Sequence, residues 1–239
     1  MNPLFAALIL SFTLSLPAAN TPLLNDAKAG AELAQKVRAL APTENAEFRG
    51  EFEFERAKSE DQFVALVSRV LVTNDGWRQI YTAQTPKGAE TLSILHRPGK
   101  ASVYTHELPQ REAVSLVGDR ATNSFASSDF ALLDLGLEFF HWPKQVLLTR
   151  EMKKGLGCNV LESRPANVGI YSRVVSWIDQ ESSGVLKAEA YDARGKLLKE
   201  FEIRKFDRDA GQVSEMEIRN RQTKGSTRLR FDSGAKLRP

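Results

Sequence analysis

The sequence predicts a mainly β, α+β protein, in which a curved antiparallel sheet forms a half-open β-barrel. An N-terminal helix and mid-chain helices are expected to cover or plug the concave face of this sheet. Three observations support the prediction. Apolar and polar residues alternate over most of the chain from Glu47 onward, short turn-forming stretches separate these runs, and one mid-chain stretch is apolar on nearly every side. Alternation and turns are typical of strands, whereas a helix that is apolar all round needs a surface that buries it.

The chain begins with an uncharged apolar run, PLFAALILSFTLSL, at residues 3–16, and small residues follow it. Such a run has the length of a signal-peptide core and is too short to span a bilayer. We therefore predict a signal peptide at residues 1–19, a single mature domain at residues 20–239 and secretion of the mature protein. The alternative is a buried N-terminal helix, because no Lys or Arg precedes the run.

The first predicted element of the mature chain is an amphipathic helix at residues 25–40, NDAKAGAELAQKVRAL. Asn25 or Asp26 can cap its N-terminus, and Pro42 follows its end. Its apolar stripe consists of Ala29, Leu33, Val37 and Leu40.

From Glu47 onward the apolar period becomes two, as in strands. The predicted strands are 47–55, 62–72, 77–84, 91–96, 102–108, about 113–117, 145–152, 158–163, 170–179, 184–192, 196–206, 212–220 and 226–232. Tight turns such as Asp75-Gly76 join them, so we expect an antiparallel meander. Across the last three strands one face forms an apolar wall: Phe201, Ile203, Met216, Ile218, Leu229 and Phe231. The opposite face carries acidic and basic residues, and we expect it to be solvated, with opposite charges paired across strands.

The mid-chain stretch SSDFALLDLGLEFF, at residues 127–140, predicts a helix that is apolar nearly all round. Ser128 and Asp129 are expected to cap it. Asp134 and Glu138, one turn apart, are expected to mark the line that faces water. The helix is either a permanent core element of a half-open barrel or a removable plug over an apolar cavity for acyl chains, and the sequence leaves both open.

Composition and motifs argue against several functions. The chain has 33 basic and 30 acidic residues without a basic stripe, so we do not expect it to bind nucleic acid. The histidines, His96, His106 and His141, have no metal-ligand spacing, and the sequence contains no phosphate-binding loop or nucleophile elbow. We therefore expect no enzyme activity, no cofactor and no metal. Cys158, the only cysteine, is expected to be buried and unreactive.

Several motifs follow one another in the second half of the chain. They are Ser128-Asp129-Phe130 with Asp134-Leu135, Gly157-Cys158 with Val160-Leu161-Glu162 and Pro165, Tyr171 and Arg173 with Trp177-Ile178-Asp179, and Tyr191-Asp192 with Gly195. In this order, behind a predicted signal peptide, helix and meander, they resemble the outer-membrane lipoprotein-sorting family (LolA-like). The resemblance covers most of the mature chain and is strongest from about Ser127 to Gly195.

The resemblance implies a periplasmic half-barrel, with helices over its open side, that binds acyl chains. The implied function is that of a carrier or chaperone that moves lipidated protein or lipid from the inner to the outer membrane. Its implied partners are an inner-membrane ABC transporter and an outer-membrane acceptor, with only transient membrane contact. The alternative is an envelope-stress sensor or regulator with the same lipid-binding fold, although such proteins typically carry an additional C-terminal domain that we do not expect here. The residues expected to line the cavity or form its plug are Phe52, Phe54, Trp77, Tyr81, Phe130, Leu133, Leu137, Trp177, Phe201 and Met216.

Overall fold

A computed structural model of the chain describes residues 24–55, 62–207 and 212–232. The predicted signal peptide at residues 1–19 lies outside these ranges. Among the described residues, no helix combines the length and apolarity needed to cross a membrane. The dominant element is a curved, unclosed sheet of 13 strands in which every pairing is antiparallel, and this confirms the mainly β, half-open prediction.

In the described part of the chain, two helices and two 3₁₀ turns accompany the sheet. Helix α1 spans Ala27–Arg38 and the short helix α2 spans Leu132–Leu135, while the 3₁₀ turns lie at Gly118–Arg120 and Glu138–His141. The strands are β1 Ala46–Glu55, β2 Gln62–Thr73, β3 Gly76–Thr85, β4 Gly88–His96, β5 Val103–Glu107, β6 Val114–Val117, β7 Lys144–Lys153, β8 Leu156–Arg164, β9 Arg173–Asp179, β10 Val185–Tyr191, β11 Leu197–Asp207, β12 Gln212–Asn220 and β13 Ser226–Phe231. Each of them overlaps a strand that the sequence predicts.

The strand order explains why the concave face is covered. The sheet runs β6-β5-β4-β3-β2-β1-β13-β12-β11-β10-β9-β8-β7, so β6 and β7 are its two edges although they are consecutive in the chain. Residues 118–143 connect these edges and therefore pass from one side of the open sheet to the other; we call them the crossing segment. At the centre of the sheet β1 pairs with β13, with Phe52 opposite Leu229. Two meanders are thus joined at their inner strands, and the segment between them lies within the concavity.

Helix α1 packs against the edge strand β7. The carboxylate of Asp26 caps the helix by accepting a hydrogen bond from the backbone of its first turn at 2.9 Å. Gly30 lies so close to β7 that a Cβ would come within 2.6 Å of the carbonyl oxygen of Gln145, so a larger residue would force the helix away. Asp26 and Leu147 also exchange backbone hydrogen bonds, which covers part of the sheet edge. Of the predicted apolar stripe, only Leu40 lies beyond the helix and is exposed.

The charged outer face pairs across strands, as the sequence predicts. Arg228 of β13 binds the carboxylates of Glu53 and Glu55 on β1, each at 2.7 Å, and Arg230 binds Glu53 at 2.7 Å. The expectation that this face is solvated is only partly right, since Glu217 is 2% exposed. The long arginine side chains lie over the shorter carboxylates and form an ion-pair layer on the outside of the sheet.

The crossing segment is not the long helix that its apolar pattern predicts. Helix α2 has four residues, Leu137 then adopts a left-handed backbone with φ of +49°, and a 3₁₀ turn follows. The predicted capping by Ser128 and Asp129 is also wrong, because helix α2 begins after Ala131. Ser128 Oγ accepts a hydrogen bond from the backbone of Phe130 at 3.2 Å, and the carboxylate of Asp129 accepts one from Thr227 Oγ1 on β13 at 2.8 Å. A stretch that is apolar on every side is expected to be buried on every side. Here the curved sheet surrounds a compact, irregular segment, so the stretch is buried without forming a long helix.

Candidate functional site

A cavity of about 830 Å³ lies between the crossing segment, the C-terminal end of α1 and the inner face of the sheet. Strands β3, β11 and β12 form its walls. Its mouth is surrounded by the β2–β3, β4–β5 and β9–β10 turns and by residues 35–42. These turns lie at one end of the sheet, since every second turn of an antiparallel meander does. The cavity is therefore open at one end of the half-barrel.

Six of the ten predicted cavity or plug residues line this space: Trp77, Tyr81, Phe130, Leu137, Phe201 and Met216. The alternation of strand residues accounts for four of them, because residues two apart on β3, β11 and β12 point to the same face of the sheet. The two others belong to the crossing segment, which faces these strands. The cavity thus has aromatic and aliphatic side chains on both sides.

The other four predicted residues do not line the cavity. Phe52, Phe54 and Leu133 are buried in the core, where Phe52 is fully inaccessible to solvent. Trp177 lies on the outer face of β9, where its Nε1 donates a hydrogen bond to Glu151 at 3.2 Å and the Lys187 ammonium lies 4.7 Å from its ring centroid. The inner residues of β9, such as Val174 and Ile178, are at even positions, which sends Trp177 to the outside.

Four polar residues at the mouth are not predicted by the sequence: Arg38, His96, Arg97 and His141. His96 stacks on Trp77 with ring centroids 4.0 Å apart. Burial lowers the pKa of His96 to about 4, and His141 adds to the effect. Burial likewise lowers the pKa of His141 to about 4, with a contribution from the positive charge of Arg38. Both imidazoles are therefore neutral at pH 7.

Asp134 holds the crossing segment to the half of the sheet that strands β7 to β13 form. Its carboxylate accepts hydrogen bonds from the backbone N–H of Ala131 at 2.8 Å, from Tyr171 Oη at 2.8 Å and from Lys199 Nζ at 3.1 Å. The side chains of Asp134 and Lys199 are only 11% and 12% exposed. The expectation that Asp134 faces water is therefore wrong, because partners distant in sequence take the place of solvent.

Glu138 is a second carboxylate that the sequence wrongly places in water. It is 2% exposed, and it accepts a hydrogen bond from Tyr104 Oη on β5 at 3.0 Å. Burial raises the pKa of Glu138 to about 7. Gly136 makes room for this contact, since a Cβ there would lie 2.1 Å from Tyr104 Oη. The crossing segment is thus also held to the half of the sheet that strands β1 to β6 form.

A third contact holds the end of the crossing segment to β7. Gln145 Nε2 donates to the carbonyl oxygens of Phe139 and Trp142, each at 2.9 Å, and Gln145 Oε1 accepts from Ser163 Oγ at 2.7 Å. All three contacts are formed while the cavity is open at its mouth. The space for a ligand therefore exists with the segment in place.

The remaining candidates for chemistry have structural partners. His106 Nε2 lies 2.8 Å from a Glu90 carboxylate oxygen that also accepts a hydrogen bond from the backbone of Ala126, and all these groups are buried. Cys158 is fully buried, and burial raises the pKa of its thiol. Within residues 24–55, 62–207 and 212–232, no cluster of three or more His, Cys, Asp or Glu side chains could hold a metal ion.

The open half-barrel with its cavity defines the class by fold alone: the protein has a LolA-like fold. A DUF1329 family protein from Desulfovibrio piger shares it with a TM-score of 0.72 and 18% identity, over 87% of this chain and 92% of that one. An outer membrane lipoprotein-sorting protein domain from Vibrio parahaemolyticus shares it with a TM-score of 0.69 and 22% identity, over 89% and 96%. A LolA superfamily protein from Nitrosomonas europaea shares it with a TM-score of 0.61 and 18% identity, over 90% of this chain and 94% of that one.

In sequence, residues 79–236 match a family model whose description reads only "Uncharacterized protein", and the chain belongs to that family. No curated protein matches the chain. The likeness to the solved structures establishes the fold.

Proposed function

We propose that the protein is a periplasmic carrier, which binds the acyl chains of a lipidated protein or of another lipid in the cavity and transfers them between the inner and outer membranes. The cavity is the observation that supports this proposal. Its volume of about 830 Å³ falls in the range of roughly 300–1,000 Å³ that is typical of ligand sites with mostly apolar walls. An acyl chain suits such walls, because it has no polar group that would be left without a partner.

Removal of methylene groups from water drives the proposed binding, and each buried methylene contributes about 0.8 kcal/mol. Trp77, Tyr81 and Phe201 offer large apolar surfaces for this contact. The one amide on the β3 wall does not interfere, since Gln79 Nε2 already donates a hydrogen bond to Ser68 Oγ at 2.5 Å. The inner cavity thus favours a long hydrocarbon over a polar ligand.

We propose that the acyl chain enters at the mouth, beside the crossing segment, and does not displace it. Displacement would separate Asp134 from Lys199 and Glu138 from Tyr104, and breaking a buried ion pair by removing one partner costs about 3–5 kcal/mol. Of the two interpretations that the sequence leaves open, this favours a fixed core element with a permanent cavity beside it.

The transport route and the partners rest on other observations. The periplasmic location rests on the predicted signal peptide, and the transfer between membranes rests on the likeness to the lipoprotein-sorting domain from Vibrio parahaemolyticus. An inner-membrane ABC transporter and an outer-membrane acceptor are the partners that such a route requires. The protein is proposed to act by binding, without a catalytic step.

Mass spectrometry of an organic extract of the natively purified protein, followed by titration with a hydrophobic fluorescent dye, tests the proposal. Two neighbouring substitutions provide a matched comparison. Val72 and Leu71 are 38% and 39% exposed, but Val72 lines the cavity, whereas Leu71 pairs with Arg78 on the opposite face of the sheet. Val72→Trp should partly fill the mouth and weaken dye binding, and Leu71→Trp should leave it unchanged.

Two outcomes would count against the carrier function. One is an extract without lipid from a protein that also binds no dye. The other is dye binding that both tryptophan substitutions leave equally intact, since the dye would then occupy a different surface.

A further inference from the structure

The cavity has a polar end and an apolar end. Arg38 and Arg97 line its mouth, whereas Tyr81, Phe130 and Phe201 line its interior. A ligand that fills it therefore meets hydrocarbon-like walls with one end and cationic side chains with the other. This division matches an amphiphile with a charged head group and an acyl tail.

The charges that line the cavity are predominantly positive. Asp134 is the only acidic residue among the described residues of the lining, and its carboxylate is already engaged by Lys199 and Tyr171. Arg38 follows the last buried position of α1 and forms no ion pair with any described residue. Arg97 is bound at 3.1 Å by Asp75, whose side chain is 66% exposed, and an exposed pair of this kind is weak. Both guanidinium groups can therefore take a further anionic partner.

The two histidines of the mouth add neutral hydrogen-bonding groups to these charges. His96 and His141 both line the cavity. Burial lowers the pKa of each imidazole to about 4, with smaller contributions from His141 to the pKa of His96 and from Arg38 to that of His141. An anion placed next to them would oppose this effect and raise both pKa values. His106 is a built-in reference, because its ring faces Glu90 and does not line the cavity.

We propose that the cavity selects amphiphiles with an anionic head group, a carboxylate or a phosphate, which lies at the mouth beside Arg38 and Arg97 while the acyl chain extends inward along Trp77 and Phe201. This inference rests on the proposed lipid-carrier function and specifies the class of its ligand. A carboxylate would come from a fatty acid and a phosphate from a phospholipid, and both use the same charge-assisted hydrogen bonds to guanidinium groups.

Competition between ligands of one chain length tests the inference. The assay measures how well each ligand displaces the bound hydrophobic dye, at low salt and below the ligand's micelle concentration. The four ligands are an alkyl carboxylate, an alkyl phosphate, an alkyl alcohol and an alkyl trimethylammonium salt. We expect at least one of the two anions to bind about tenfold more tightly than the alcohol, which corresponds to about 1.4 kcal/mol. The cation should bind most weakly. The tighter anion identifies the source of the head group.

Substitutions locate the effect at the mouth. Combining Arg38→Gln with Arg97→Gln should reduce the ratio of anion to alcohol affinity to near one. Arg78→Gln is the control, because Arg78 donates to Ser93 on the outer face of the sheet and should leave the ratio unchanged. NMR titration of the imidazoles with the alkyl phosphate bound should show a raised pKa for His96 and for His141, while the ring signals of His106, which does not line the cavity, should not change on ligand binding.

The outcomes separate the inference from the function on which it rests. Equal affinity for alcohol and anions, a preference for the cation, or unchanged histidine pKa values would overturn the anionic head group and leave the carrier function intact. If no amphiphile displaces the dye, the carrier function fails, and the inference fails with it.

Discussion

Replacement of Asp134 by alanine tests whether buried polar contacts fix the crossing segment in the sheet. The substitution removes the acceptor of three hydrogen bonds and leaves Lys199, 12% exposed, without its carboxylate at 3.1 Å. Breaking a buried pair in this way costs about 3–5 kcal/mol, mostly because one charge remains buried and unpaired. We therefore expect Asp134→Ala to lower the free energy of unfolding by about that amount. Asp134→Asn keeps hydrogen-bonding atoms, and we expect a smaller loss of about 1–3 kcal/mol.

Urea denaturation followed by circular dichroism measures both losses. Adding Lys199→Met to Asp134→Ala removes the unpaired charge, so the double variant should be more stable than Asp134→Ala alone, and the double-mutant cycle gives the coupling energy directly. A loss below about 1 kcal/mol for Asp134→Ala, without coupling to Lys199, would refute the reasoning. Such values are typical of solvent-exposed pairs, and the segment would then be free to behave as a removable plug.

Three further predictions concern the same segment. Since burial raises the pKa of Glu138 from 4.5 to about 7, its contribution to stability is fully present below pH 4.5 and is lost as pH rises to about 7, by about 3 kcal/mol at 1.36 kcal/mol per pKa unit. Urea titrations of Glu138→Gln across this range should lack that loss. Gly136→Ala should cost about 1–3 kcal/mol through its clash with Tyr104, whereas Gly169→Ala, with nothing within 4 Å, should be neutral in the same assay. Leu133→Glu should unfold the protein in thermal scans instead of merely changing ligand uptake, because Leu133 is 1% exposed in the core.

The strands and their faces could be predicted from the sequence because successive side chains of a strand point to opposite faces, so the buried and exposed faces appear as alternating apolar and polar residues. Phe201 and Met216 alternate with charged neighbours, and the structure places them on the cavity side of β11 and β12. The same rule shows which predicted site residue was misplaced: Trp177 is at an outward position of β9, and an aromatic ring by itself does not reveal its face.

The crossing segment could not be predicted in the same way, because its conformation depends on distant partners. Asp134 and Glu138 are four residues apart, a spacing that is typical of the exposed side of a helix. Their actual partners, Tyr104, Tyr171 and Lys199, come from three other parts of the chain. The polar residues at the mouth of the cavity could not be predicted for a related reason. Arg38 at the end of α1 and Arg97 in the β4–β5 turn are distant in sequence, and only the folded sheet brings them to one cavity.

Fluorescence quenching by a brominated acyl chain tests most directly whether the cavity is the lipid site. Trp77 lines the cavity, Trp177 lies on the outer face, and Trp142 is buried in the core with no hydrogen-bond partner for its Nε1 among the described residues. Trp142→Phe should therefore be tolerated. Adding Trp177→Phe leaves Trp77 in the cavity as the single tryptophan, and adding Trp77→Phe instead leaves Trp177 on the outer face. Quenching requires contact with bromine, so the variant that retains Trp77 should be quenched saturably and the variant that retains Trp177 should not. Lipid binding that quenches Trp177 and spares Trp77 would place the ligand elsewhere and contradict the proposed carrier site.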